Sequence, residues 1–310
     1  AGGVQFDQTD SERKPEPGKA RMILSASRRT DIPAFFGEWL LNRLRAGSVP
    51  VRNPRNPAQE SRIALSPETV DCIVFWTKDP APLLPKLDEL DALGYRYVFL
   101  FTLNNYGAMI EPGVPPPADR IATFRRLADR IGRDRLVWRY DPVIFTPEMT
   151  PERHAECFDR LAGALGRCCC KSVVSFVDFY PRCRKALALL GAYDPDDAVK
   201  RELAGRFAES AARRGIPVEA CAEPLDLAGT GVRPGSCIDR DWLSQVCGRE
   251  LKLRRASGQR SCCGCAQSVD IGVYGTCRHG CVYCYAARGQ QATGKGANQN
   301  GVIAPEASMR

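Results

Sequence analysis

The sequence predicts an α/β protein built as an open partial (β/α)6 barrel with a cysteine-rich C-terminal segment. Three observations predict the barrel: six short runs of β-branched and aromatic residues, helical patterns between them, and runs that are apolar at nearly every position. Strands of that kind flanked by helices imply a parallel sheet covered on both faces. Six units are too few to close an eight-stranded barrel. A doubly wound open sheet is the alternative arrangement of the same units.

The strand runs are Met22 to Ser25, Asp71 to Thr77, Tyr95 to Leu103, Arg135 to Tyr140, Ser172 to Val177 and Ile216 to Ala220. Leu83, Leu84, Leu87, Leu90 and Leu93 share one helical face, as do Ile121, Phe124, Leu127 and Ile131, and later Val199, Leu203 and Phe207. Thr150-Pro151 and Asp194-Pro195 each offer a capping side chain before proline at the first helical position. Gly47 and Gly215 stand where a left-handed C-cap is wanted.

The chain has 310 residues, 44% of them apolar, which excludes disorder for most of its length and allows one large domain or two smaller ones. Its parts are expected as a flexible tail over 1–20, the barrel over 21–228, the cysteine-rich cluster-binding segment over 229–287 and a second flexible tail over 288–310. No apolar run is long enough for a membrane span, and the N-terminus is polar, so a soluble cytoplasmic protein is expected. The 44 Lys+Arg against 36 Asp+Glu are scattered rather than gathered, as on solvated helix faces; neither nucleic acid nor a membrane is an expected partner.

Fifteen cysteines are too many for an ordinary cytoplasmic enzyme, and without signs of secretion they point to metal ligation or redox chemistry. Nine fall from Cys221 onward; Cys247 stands alone in a helical context. Cys277-Arg278-His279-Gly280-Cys281-Val282-Tyr283-Cys284 has C-x3-C-x2-C spacing with an aromatic before the last cysteine. Three thiolates on one tight loop can hold three irons of a cubane and leave the fourth without a protein ligand. Zinc is the alternative ion, although it usually wants four ligands in paired C-x2-C groups. Cys221, Cys237, Cys262, Cys263 and Cys265 are further thiols ahead of this loop.

Polar residues follow all six strands: Ser25 to Asp31, Thr77-Lys78-Asp79, Asn104-Asn105-Tyr106, Arg139 with Asp141 and Pro142, Asp178 with Tyr180, and Cys221 with Glu223. Turn and capping roles account for any one of them; six together point to a shared cleft at the strands' C-terminal ends. His279 lies inside the cysteine loop, where it can tune hydrogen bonding, and His154 reads as a surface or packing residue on a helix. No Ser-His-Asp set, Walker loop or GxGxxG element is present.

The cysteine loop resembles the signature of the radical S-adenosylmethionine (SAM) superfamily. SASRRTDIPAFF from Ser25, FWTKDP from Phe75, RYDPV from Arg139 and the stretch Gln259 to Ala286 together resemble a bacterial family of atypical radical SAM proteins that carry the cluster motif at the C-terminal end. In the superfamily that loop usually follows the first strand, whereas here it follows the last. The resemblance covers roughly residues 21 to 287. It implies a 4Fe–4S cluster on Cys277, Cys281 and Cys284 that cleaves SAM, a second 4Fe–4S cluster or zinc on Cys221, Cys237, Cys263 and Cys265, and an electron donor such as a flavodoxin or ferredoxin. On that footing Arg139, Lys78 and Asn104 are candidates for the carboxylate and ribose of SAM. Ser27, Arg28, Asp31 and Asp141 would shape the site, with Tyr283 beside the cofactor.

Arg167-Cys168-Cys169-Cys170-Lys171 sets three soft thiols beside two cations, a composition that favours a thiophilic centre such as trivalent arsenic. Such a run on this framework resembles the radical SAM enzymes of arsinothricin biosynthesis. That likeness implies transfer of the 3-amino-3-carboxypropyl part of SAM to arsenite, giving hydroxyarsinothricin. Neighbouring side chains in an extended segment point to opposite faces, however, and this run precedes a strand, at the far end from the cleft. Buried small residues are the other reading of the run. Cys183, just after the fifth strand, is better placed to meet a substrate. A conventional radical enzyme that releases 5′-deoxyadenosine and acts on an organic substrate, and a thiol-based metal sensor, are the competing classes.

Overall fold

The computed structural model describes residues 21–54 and 56–287; the tails expected over 1–20 and 288–310 lie outside the described residues. In chain order the elements are β1 (Met22–Ala26), α1 (Ile32–Phe35), α2 (Gly37–Arg45), β2 (Ser48–Asn53), β3 (Asn56–Ala64), β4 (Val70–Thr77), α3 (Leu87–Ala92), β5 (Tyr97–Thr102), α4 (Pro117–Ile131), β6 (Leu136–Val143), α5 (Pro151–Leu165), β7 (Lys171–Phe176), α6 (Pro181–Leu189), α7 (Asp197–Ala212), β8 (Val218–Cys221), β9 (Arg233–Gly235), α8 (Arg240–Cys247) and β10 (Ser268–Asp270). The fold is α/β, with helices flanking one large parallel sheet.

That sheet has eight strands in the order β10-β1-β4-β5-β6-β7-β8-β9. From β1 to β9 each strand adds on the same side of its predecessor, so the order does not reverse as it does in a doubly wound sheet. All six strands expected from the sequence are present. Two short ones, β9 and β10, come from the cysteine-rich segment and pair with β8 and β1 respectively. The six-unit expectation is corrected accordingly: the segment after residue 228 extends the sheet at both edges. Read round from β1 to β10, the strands follow chain order, and the seam without strand pairing among the described residues lies between β9 and β10. The hairpin β2–β3, which the sequence analysis did not foresee, forms a separate antiparallel pair.

The period-two alternation of the strands sorts their side chains onto two apolar faces. Phe75, Tyr97, Phe99, Phe101, Trp138 and Tyr140 face the helices, where they meet Phe124 of α4, Phe158 of α5 and Phe207 of α7. Ile23, Cys72, Val74, Val98, Leu100, Val137 and Val173 lie on the other face, covered by Trp242, Leu243 and Cys247 of α8 and by the chain that follows it. Helix α8 meets the N-terminal ends of the strands. Its Trp242 Nε1 donates to Asp134 O at 2.7 Å, Cys247 Sγ to Asp71 O at 3.5 Å, and its N-cap Asp239 pairs with Lys171 at 2.8 Å. The C-terminal ends of the strands are left for the site.

The caps agree with the sequence except at one helix. Thr150 Oγ1 accepts from Arg153 N at 3.3 Å, and Gly47 and Gly215 have φ of +68° and +67°. The expected cap Asp194 is displaced by Asp196, which accepts from Val199 N at 2.9 Å and starts α7 at Asp197. No helix of the described residues is long and apolar enough to cross a membrane.

Candidate functional site

The cysteine loop docks over the C-terminal ends of the strands. Gly113 N donates to His279 O at 2.8 Å and Val282 N to Ile110 O at 3.1 Å, tying the loop to the segment after β5. A Cβ on Gly113 would lie 2.7 Å from Arg278 O and 2.9 Å from His279 O, so that close approach requires glycine. His279 is buried; its Nδ1 lies 3.0 Å from Gly113 O and its Nε2 2.8 Å from Asp31 Oδ2. Both partners are acceptors. Burial pulls the His279 pKa down, but the hydrogen bond and charge of Asp31 outweigh it and hold it above the ordinary imidazole value.

Asp31 also caps α1 through Ala34 N at 3.0 Å and accepts from Lys78 N at 2.7 Å, so one carboxylate joins the ends of β1 and β4 to the loop. Lys78 Nζ reaches Glu111 Oε1 at 2.8 Å, the same oxygen that receives the Tyr283 hydroxyl, and Lys78 Nζ stands 5.4 Å from the Tyr283 ring centre. The fully buried Arg120 approaches Glu111 Oε2 at 3.7 Å. Burial alone would raise the Glu111 carboxyl; Lys78 and Arg120 hold it below its usual value.

The three loop thiols lie within electrostatic reach of one another. Burial pushes Cys277 up to about 12, with the Asp31 charge adding to it, and burial raises Cys281 further. Ligation would therefore displace protons from both. Cys183, on α6, is buried and within electrostatic reach of Cys284. A turn closed by Cys284 N to Cys281 O at 3.1 Å carries the last two thiols. Three soft donors on one loop suit a cubane with one iron left unligated by protein.

Cys221, Cys237, Cys263 and Cys265 are all buried and lie within electrostatic reach of one another. Cys265 accepts from Ile238 N at 3.5 Å, and its neighbours Cys221, Cys237 and Cys263 hold its pKa low, whereas the Cys221 thiol is raised, above all by Cys237. Cys221 ends β8, Cys237 follows β9 and Cys263 and Cys265 precede β10, so the four gather across the open seam. Among the described residues no set of three or more His, Cys, Asp or Glu side chains already stands in a metal-binding arrangement. As donors, four buried thiols in mutual contact suit a complete cubane or tetrahedral zinc. Ala222, directly after Cys221, has a φ of +56°, a left-handed conformation uncommon without glycine. Cys262 is exposed and its thiol bonds Ala222 O at 3.1 Å.

Cys168, Cys169 and Cys170 stand before β7, at the end of the sheet opposite the cleft, and the structure does not bring them onto one centre. Cys169 is in the helix-side core with Cys168 packed against it, while Cys170 packs on the other face. Burial raises all three thiols, Cys169 to about 12 and Cys170 to about 11. Asn104 also differs from its expected ligand role: both ends of its amide bond the Asp141 backbone at 3.0 Å. It holds the β5 and β6 ends together. His154 is buried rather than on the surface, with Nδ1 2.9 Å from the Tyr140 hydroxyl and Nε2 2.9 Å from Ile144 O.

Ser27, Arg28, Arg139 and Asp141 stand at the strand ends. Ser27 Oγ donates to Asp270 Oδ1 at 2.6 Å, Arg28 N to Asp270 Oδ2 at 2.9 Å and Gly272 N to Asp270 Oδ1 at 2.9 Å. Arg139 pairs with Asp141, which also accepts from Ser175 Oγ. Asp270, Glu111, Arg120 and Trp76 were not singled out from the sequence. Asp270 and Trp76 do fall inside the motifs Gln259 to Ala286 and FWTKDP, whereas nothing in the local pattern marks Glu111 or Arg120.

A family model matches residues 23–286, from β1 through the last cysteine of the loop, and its description is a domain of unknown function, DUF1848. The chain belongs to this family. The match spans the sheet and the cysteine-rich segment together, in keeping with strands β9 and β10 completing the sheet. A search of curated proteins finds no match.

Proposed function

We infer that this DUF1848 chain is a noncanonical radical SAM enzyme, with its sheet rolled as an open barrel and a 4Fe–4S cluster held by Cys277, Cys281 and Cys284. The observation that carries the reading is the placement of the C-x3-C-x2-C loop. Although last in the chain, it docks on the strand ends through His279 to Asp31 and Tyr283 to Glu111, at the edge of a polar cleft. A bound cluster of this type supplies an electron for reductive cleavage of a sulfonium C–S bond.

The remaining work falls to side chains. Asp31 fixes the loop to β1 and β4. Lys78, held by Glu111 beside the Tyr283 ring, puts a cation at the wall of the cleft, and Arg28 and Arg139 add two more across it. Asn104, Ser27 and Asp270 hold the strand ends in register around that space. The four thiols Cys221, Cys237, Cys263 and Cys265 are assigned to a second cluster or zinc that closes the seam.

In this reading one-electron reduction would break the bond between the SAM sulfur and its 3-amino-3-carboxypropyl group, methylthioadenosine would leave, and the freed group would bond to the arsenic of arsenite, the adduct giving up one proton and returning one electron to the donor system to yield hydroxyarsinothricin. Cys183, near Cys284, is the thiol the cleft offers to a thiophilic acceptor; Cys168, Cys169 and Cys170 face elsewhere and take no part. An electron donor such as a flavodoxin or ferredoxin would feed the cluster.

The test uses anaerobically reconstituted protein: iron and sulfide content, then mass spectrometry of the nucleoside released from SAM after reduction, with and without arsenite. Methylthioadenosine that increases with arsenite is expected. Release of 5′-deoxyadenosine instead would mean a conventional radical enzyme, and retained SAM cleavage in Cys281→Ala would sink the cluster assignment.

A further inference from the structure

Between the two thiol sets lies a group of buried donor atoms that the packing leaves without partners. The Arg28 guanidinium lies 4.9 Å from the Trp76 ring centre and that of Arg139 5.0 Å from the same ring. Trp76 is nine-tenths buried. Three buried polar atoms here have no hydrogen-bond partner: Arg28 Nη2, Trp76 Nε1 and Arg139 Nε. All three are donors. Arg139 has Asp141 and Thr102 Oγ1, the latter at 3.3 Å, to satisfy part of its fork. Among the described residues no carboxylate lies within ion-pair distance of Arg28.

Leaving buried donors unpaired costs about 1–3 kcal/mol each, more when they are charged, and stacking on an indole recovers only part of that for a guanidinium. Three at one place, two of them cationic, are the complement of an oxyanion. A planar carboxylate suits them best, because Arg28 Nη2, Arg139 Nε and the indole N–H can share its two oxygens.

Position narrows the ligand further. The Arg28 carbonyl accepts from the Tyr285 hydroxyl at 3.2 Å, which places this residue against the chain that leaves the C-x3-C-x2-C loop. On the other side the Arg139 charge acts on Cys237, and Trp76 packs in the same core as Cys221, Cys237, Cys263 and Cys265. We propose that Arg28, Trp76 and Arg139 form a carboxylate-binding pocket between the two thiol sets, built to hold the α-carboxylate of an amino-acid-type ligand. This deepens the reading above by naming what the cleft grips, and the pocket itself consists of protein side chains alone.

The experiment is calorimetric titration of the anaerobically prepared holoprotein, without reductant, using L-methionine and its neutral-carboxyl analogue methioninamide as probes. Methionine is expected to bind at least tenfold more tightly than the amide. Arg28→Gln should weaken methionine at least tenfold and Trp76→Phe, which keeps the ring and removes the N–H, about threefold, each with unchanged circular dichroism and iron content. Arg28→Lys, which restores charge without the fork, should recover part of the loss and guards against a folding artefact in the glutamine variant. Equal binding of the two probes, or methionine binding that survives Arg28→Gln intact, would overturn the pocket.

S-adenosylhomocysteine separates two sources of the same carboxylate. Displacement of methionine assigns the pocket to the amino-acid end of the SAM-type ligand, and simultaneous binding of both assigns it to a separate carboxylate substrate. Methionine binding that persists in a protein unable to cleave SAM would support the pocket while removing the radical reading, so the two fail independently.

Discussion

Asp270 shows how one residue can set the geometry of a strand end. It accepts from Ser27 Oγ, Arg28 N and Gly272 N, and so fixes the turn that carries Arg28 over the Trp76 ring. Gly272 lies so close to that turn that a Cβ there would stand 2.0 Å from Ser27 Oγ and 2.5 Å from Ser27 Cβ. Gly272→Ala should therefore push Ser27 out of its hydrogen bond and destabilise the protein by about 1–3 kcal/mol, as overpacking does. Urea unfolding measures it; a wild-type midpoint would mean the turn yields without cost. The cysteines were legible in the sequence because spacing and residue type are local properties. Asp270 and Glu111 were not, because their partners lie 243 residues away at Ser27 and 172 residues away at Tyr283, and only the folded sheet brings them together. The same reason hid the orphaned donors of Trp76 and Arg139, which depend on what is missing around them.

At the scale of elements, α8 is the piece that makes the sheet's inner face a core. It buries Trp242, Leu243 and Cys247 against strands whose inward side chains would otherwise meet water, each worth about 1.5–3 kcal/mol when fully buried. Asp239 starts it in two ways: Oδ1 accepts from Asp241 N at 2.9 Å and Trp242 N at 3.1 Å, while Oδ2 pairs with Lys171, itself bound to Glu219 at 2.6 Å. Asparagine caps as well as aspartate but carries no charge. Asp239→Asn should thus report the ion pair alone and Asp239→Ala the pair plus a cap of about 1 kcal/mol. Equal unfolding midpoints for the two variants would show that the cap contributes nothing. The sequence made the central strands plain because runs such as Cys72–Trp76 and Tyr97–Phe101, five apolar residues each, have few alternatives. It did not reveal β9 and β10, three residues each, whose Arg-Pro-Gly and Ser-Val-Asp sequences carry no strand pattern and pair only because β8 and β1 present open edges.

For the whole molecule, acid stability follows from the buried His154. The Tyr140 hydroxyl donates to Nδ1 and Nε2 donates to Ile144 O, an arrangement that holds the ring neutral. Burial lowers its pKa from 6.5 to about 4. The unfolded chain therefore binds the extra proton first: the contribution is fully present above the unfolded value and is lost as pH falls through 6.5 toward 4. The loss by the lower end is on the order of 2–3 kcal/mol. His154→Gln, which offers an acceptor and a donor without titrating, should flatten urea-derived stability between pH 7 and pH 4; an unchanged slope would mean other groups govern it.

The seam between β9 and β10 carries the last consequence. Every other neighbouring pair of strands in the sheet is joined by backbone hydrogen bonds, and the four buried thiols come from the chain that leads to these two edges. A metal centre on Cys221, Cys237, Cys263 and Cys265 would link the end of β8 to the approach to β10, shortening the loop the unfolded chain must close and tying β10 to the far edge of the sheet. The Cys265 thiol is influenced by all three of the others, so Cys265→Ser strikes the centre of the set. Because binding to the folded state alone stabilises by mass action, on the proposed reading the variant should lose the metal assigned to these thiols and several degrees of melting temperature, while iron assigned to the C-x3-C-x2-C loop is retained. Elemental analysis beside thermal unfolding decides it. A variant with full metal content and an unshifted melting temperature would show that the seam is held by the packing of α8 and not by the thiols.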